Sequence, residues 1–198
     1  MIGRCNAHTR HNKENHYKRI GRLFNMLFKF IYSIVIVGCS SLLGFIFANT
    51  YVERAKLLNS LLATLQMLET EIVYGATPIP DIMRKIGNKS KKEIGDIFLS
   101  AADLLNCNSG QTFDEIWCRT VTQEAGHTCL NREDIDLLLS LGKNLGISNC
   151  EDQMKHIRLI REEFKRHYEL ALIEQNKNTK LFKNLGFLLG MTIVIIVL

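Results

Sequence analysis

Glu124 and His127 are three residues apart in a stretch of helical period, the Glu-x-x-His half of a di-iron site in a helix bundle. A working centre needs a second copy and two further inward glutamates, and neither is evident in the chain. Gly126 is placed to end that helix before His127. Cys118, His127 and Cys129 carry zinc-ligating atoms but lack the tight paired spacing of a zinc site. His8, His11 and His16 lie in a polar N-terminal tail, where the expectation is a solvated, disordered segment. The chain contains no G-x-x-x-x-G-K-[ST], G-x-S-x-G or H-E-x-x-H pattern, and no nucleophile stands beside an obvious base. These residues imply no catalytic group, no cofactor and no metal, and the chain is read as non-enzymatic.

The cysteines point the same way. Cys5, Cys39, Cys107, Cys118, Cys129 and Cys150 include no C-x-x-C pair, and Cys39 falls inside an apolar run. Scattered thiols suit a reducing compartment rather than a disulfide framework. The net charge of +5 is concentrated in residues 1 to 29, which hold about +6; the remainder is about −1. A nearly neutral middle region lacks the clustered cations that phosphate backbones require, which argues against a nucleic-acid partner. A basic stretch beside an apolar one reads more simply as a membrane-proximal charge belt.

The elements that would position any function are dominated by two apolar segments. Phe30 to Val52 carries no charge and would reach about 34 Å as helix, enough to cross a hydrocarbon core of about 30 Å. It is too long for the apolar region of a signal peptide, and no small-x-small cleavage site stands out at its end. Asn184 to Leu198 is also uncharged and reaches about 22 Å, or about 27 Å if it starts at Leu181 with Lys183 snorkelling. That is barely enough to cross a thinned bilayer, with a half-inserted tail as the alternative. The organisation expected is a basic tail (1–29), a first transmembrane helix (30–52), a soluble helical domain (53–183) and a short second transmembrane helix (184–198).

The domain reads as all-α. Leu57, Leu58, Leu61, Leu65, Leu68 and Ile72 recur at helical spacing from Glu53 to Tyr74, and Gly75 is a helix stop. Thr77 is a plausible N-cap with Pro78 in the first helical position, so the Thr77–Pro80 stretch forms a rigid corner. Ser90–Glu93, Thr112–Glu115 and Ser148–Glu151 match the capping box. A further helix opens near Asn131 with Glu133 and Asp134 in its first turn and ends at Gly146; the last runs from about Asn149 into the second span. No stretch alternates with period two. The fold class expected is a membrane-anchored bundle of five to six helices, flanked by N- and C-terminal transmembrane helices. The lone Trp117 is assigned to the core.

Two surfaces have interaction patterns. Gly186 and Gly190 form G-x-x-x-G, and Ser40 with Gly44 gives the first span a similar small face; such faces let helix backbones approach. The spans would pack on each other or on partner subunits through them, so an oligomer stays open. Glu69 and Glu71 flank the apolar face just before the Thr77, Pro78 and Pro80 corner. They form either a plain solvated surface or a contact for a basic partner.

Leu68-Glu-Thr-Glu-Ile-Val-Tyr74, Thr77-Pro-Ile-Pro80, Trp117, Leu141-Gly-Lys-Asn-Leu-Gly146 with Ser148 and Gln153, and Lys180-Leu-Phe-Lys-Asn-Leu-Gly186 before an Ile/Val tail together resemble the stage III sporulation protein AB family. The resemblance runs from about residue 26 to the end. It departs at Asn149, where that family usually carries an acid. It implies a helical domain similar to the cytoplasmic domains of type II secretion platform proteins. It also implies a scaffold role in the channel complex between mother cell and forespore during endospore formation. Implied partners are membrane lipid and other products of the stage III operon, including a secretion-type ATPase, stage III sporulation protein AA.

Chains of that family usually begin just before the first span, as Met26-Leu-Phe-Lys29 would here. Met26 is therefore expected to be the translation start, a point that mass spectrometry of the native N-terminus decides. Lysines and arginines on the two sides of the spans are otherwise balanced. With a start at Met26 the domain faces the cytoplasm by the positive-inside rule, and the resemblance implies the mother cell membrane around the forespore. The alternative function is a small membrane-bound sensor or regulator that uses the helical domain as a binding module; it predicts a discrete ligand pocket.

Overall fold

The computed structural model describes residues 5–74, 77–107, 110–143, 145 and 150–197; residues 5–28, 150 and 197 are described by backbone alone. Six α-helices occur among them: α1 (Cys5–Tyr74), α2 (Ile79–Gly87), α3 (Lys92–Asn106), α4 (Phe113–Ala125), α5 (Arg132–Ser140) and α6 (Cys150–Val197). A 3-10 turn (Leu141–Lys143) follows α5. There is no strand among the described residues, so the chain is all-α. The first apolar segment is the middle of α1 and the second is the end of α6; neither is a separate helix. Each is long and apolar enough to be a candidate membrane span, within Lys29–Tyr74 and Glu151–Ile196.

The helices divide into two compact units. One contains Met1–Phe47 and Leu181–Leu198. Only 6% and 11% of the most apolar windows of its two helices are buried. Phe30, Ile34, Phe45, Leu188 and Ile195 point outward, an arrangement that fits lipid and not a water-facing surface.

The other unit, Ala48–Lys180, is the helical domain. Its core is the apolar stripe of α1 (Leu58, Leu61, Leu65 and Leu68, each fully buried) against Met83 of α2, Ile97 and Phe98 of α3, Trp117 and Val121 of α4, and Ile157 and Phe164 of α6. Phe98 meets Trp117 edge-on at 5.1 Å and Phe113 stacks on it at 5.9 Å, so Trp117 is core as expected. Gly87 and Gly95 set the close approach of α2 and α3: a Cβ on Gly95 would lie 2.5 Å from the Gly87 carbonyl oxygen.

The helix starts only partly follow the sequence patterns. Thr112 and Glu115 form the expected capping box at α4. At α2 the N-cap is Pro78, not Thr77, and Pro80 takes the early helical position where its missing N–H costs nothing. Ser90 does not cap α3. Its hydroxyl donates to the Ile86 carbonyl (2.9 Å) and lies 2.8 Å from the Thr64 hydroxyl, so the cap position passes to Lys91. The backbone is helical from Cys5, in place of the disordered tail expected around His8, His11 and His16. Gly75, Gly146, Ser148 with its capping box, and Asn149 lie outside the described residues.

Candidate functional site

Glu69 and Glu71 project from the last turns of α1, but their carboxylates are engaged within the domain. Glu69 accepts from Arg158 and, at 2.7 Å, from Arg161, both on α6. Glu71 pairs with Lys85 of α2 at 2.7 Å. Both are partly buried, so their charge binds helices α6 and α2 to α1 before it can meet any other surface. The exposed part of this corner is apolar: Tyr74 is 85% exposed and Val73 43%, with Thr77 and Pro78 exposed and Pro80 half-buried.

The strongest polar constellation escaped the sequence reading. Asp134 is fully buried on α5. Arg54 of α1 reaches it through Nε (2.8 Å) and Nη2 (3.2 Å), His167 of α6 through Nδ1 (2.7 Å), and the backbone N–H of Asn131 at 3.0 Å. Arg54 also binds Glu174 of α6 at 2.7 Å. Burial pushes the Asp134 carboxyl upward. The hydrogen bonds from Arg54, the Asn131 backbone and His167 outweigh that and hold it below the usual carboxylate range. Asn131 and Asp134 also form a reciprocal capping box at α5. An Asn three residues before an Asp was the available signal; the partners, 80 and 33 residues away, had none.

In the apolar unit, Gly44 and Gly186 face each other. A Cβ on Gly44 would lie 2.5 Å from the Phe182 carbonyl oxygen and 3.1 Å from Gly186 Cα. The Ser40 hydroxyl donates to the Gly186 carbonyl at 2.6 Å, and a Cβ on Gly190 would lie 2.9 Å from Val37 Cα. The four small residues of the two apolar segments thus lie along one close approach of their backbones.

Among the described residues, those weighed for metal chemistry do not form a group of three ligands. Glu124 accepts from Ser100 at 3.2 Å, His127 follows the end of α4 at Ala125 and is exposed, Cys118 is exposed and Cys129 half-buried. A groove of about 490 Å³ is open to solvent between α1 and α6, lined by Asn59, Gln66, Arg161, Glu162, Lys165 and Glu169 among others.

The family described as Stage III sporulation protein AB matches residues 29–198. The chain belongs to the stage III sporulation protein AB family. Stage III sporulation protein AB of Bacillus subtilis (strain 168) is 28% identical over 172 residues, covering 87% of this chain and all of the relative. A solved structure of Stage III sporulation protein AB (SpoIIIAB) superposes with a TM-score of 0.60 at 26% identity, over 63% of this chain and 98% of its own. Membership gives the chain a role in sporulation, and the relatives are named as sporulation proteins and not as enzymes.

Proposed function

We propose that the protein is a non-enzymatic membrane platform of a secretion-like complex between mother cell and forespore, coupling a cytoplasmic secretion-type ATPase to membrane components. The observation that carries this reading is the pairing of family membership with a domain set between two candidate membrane spans. The domain's charged groups near the corner are committed to internal ion pairs, which suits a load-bearing part more than a catalyst. The domain faces the cytoplasm, and the ATPase contacts the exposed tip of Val73, Tyr74, Thr77 and Pro78, with Pro80 shaping the turn and Glu69 and Glu71 supporting it from behind. Ser40, Gly44, Gly186 and Gly190 hold the two spans together.

A photo-crosslinker at Tyr74, incorporated in sporulating cells, tests the reading. Capture of a secretion-type ATPase is expected. Capture by a control position on α4 but not by Tyr74 or Pro78 would remove this surface from the proposal. Labelling of Cys107 or Cys118 by an impermeant reagent in intact cells would overturn the cytoplasmic placement.

A further inference from the structure

Helix α5 is seated differently from its neighbours. α3 and α4 each bury six residues, whereas α5 buries two, Leu138 and Asp134, and one of those two is a carboxylate. Its flanks are anchored: Leu130 and Leu141 are both buried. Between them Ile135, Leu137 and Leu139 of α5 pack partly buried against the core, and three polar attachments reach the helix, one of them His156 Nε2 of α6, 3.0 Å from the Ser140 carbonyl. The Trp117 indole N–H donates to the Leu138 carbonyl at 2.8 Å, and Asp134 receives Arg54 and His167. The charged groups facing Asp134 are Arg54 from α1 and His167 from α6, with Glu174 of α6 on the far side of Arg54 and Glu133 its neighbour on α5.

We propose that α5 is a latched flap: closed while ionised Asp134 binds Arg54 and His167, it opens between Leu130 and Leu141 when Asp134 is neutralised, with α2, α3 and α4 still folded. A helix with little buried apolar surface is drawn from the low-stability end of a domain, and a buried ion pair that loses one partner turns from an attachment into a desolvated charge. The depressed ionisation of Asp134 agrees with a latch closed across the neutral range. Opening frees Arg54 and uncovers the indole edge of Trp117, the lone tryptophan of the chain, which supplies an optical reporter.

The test is hydrogen exchange on the full chain in detergent micelles, read by mass spectrometry as protection of residues 132–140 against residues 92–106, with Trp117 emission in parallel. In Asp134→Asn, protection of α5 is expected to fall by about tenfold or more and to lie well below that of α3, which keeps the protection set by global unfolding of the domain, with Trp117 emission shifted to the red. Glu174→Gln, which leaves the Arg54–Asp134 contact in place, is expected to keep α5 closed. If Asp134→Asn does not fold, the wild-type chain decides: on acidification below the usual carboxylate range, α5 must lose protection before α3. Loss of both helices together, or undiminished protection of α5 in Asp134→Asn, would overturn the proposal.

Discussion

Gly44 and Gly186 meet backbone to backbone, so close that a Cβ on either would fall 3.1 Å from the other's Cα. The contact brings Ser40 within 2.6 Å of the Gly186 carbonyl and sets Phe47 on Phe182 with ring centroids 6.1 Å apart. Apolar helices gain nothing from leaving lipid for one another, so this packing, the Ser40 hydrogen bond and Lys183 over the Phe45 ring at 5.5 Å contribute to holding the pair.

Replacing Gly44 with leucine should therefore separate the spans, because the new side chain meets backbone that cannot move aside. The expected loss is about 1–2 kcal/mol of pairing free energy. It is measured as a drop in disulfide yield between Phe47→Cys and Phe182→Cys in a background without the native cysteines. Equal yield with Gly44 and with leucine would contradict the packing described.

Asp134→Ala removes a carboxylate that binds Arg54, His167 and the Asn131 backbone from a fully buried position. Breaking a buried pair from one side costs roughly 3–5 kcal/mol, since the remaining charge stays desolvated. The denaturant midpoint of the domain should fall accordingly, and a change below about 1 kcal/mol would mean that the cluster carries little of the stability.

The same carboxyl sets a pH dependence of definite sign. Its folded-state pKa lies below the value of about 3.9 for a free aspartate. Its contribution to stability is then present in full above the unfolded value and is lost as pH falls through the depressed folded value. The gap in unfolding free energy between wild type and Asp134→Asn should be constant from pH 7 down to about pH 5 and shrink below about pH 4. A gap that widens on acidification would exclude Asp134 as its source.

Thr112 accepts from the Glu115 backbone and the Glu115 carboxylate accepts from the Thr112 N–H. Thr112→Ala should cost about 1 kcal/mol in the domain's unfolding free energy. Thr112→Ser, which keeps the oxygen, should recover most of it.

Part of what depended on neighbours in sequence was legible: the leucine stripe of α1 and the Thr112 cap follow from spacings of three and four residues, and the two apolar segments from unbroken runs, whereas the cap of α2 fell one residue later than the Thr77 spacing implied. What depended on long-range meetings was not. Nothing near Glu69 or Glu71 announces Arg158 and Arg161 or Lys85, so those carboxylates read as available when they are engaged. Ser90 has a capping-box neighbour at Glu93, yet Thr64, 26 residues away, competes for its hydroxyl. Arg54 and His167 stand in no motif, and only the fold brings them to Asp134.

The glycine-on-glycine contact also settles what any lateral neighbour in the bilayer would encounter. With the smooth strip of each span turned toward its sister, the perimeter left over is studded with Phe30, Ile34, Phe45, Leu188 and Ile195. Acyl chains fill such a rim about as well as another protein would. Company in the membrane would then be kept by knob shape and by whatever joins the proteins outside the lipid, and it would be readily exchanged.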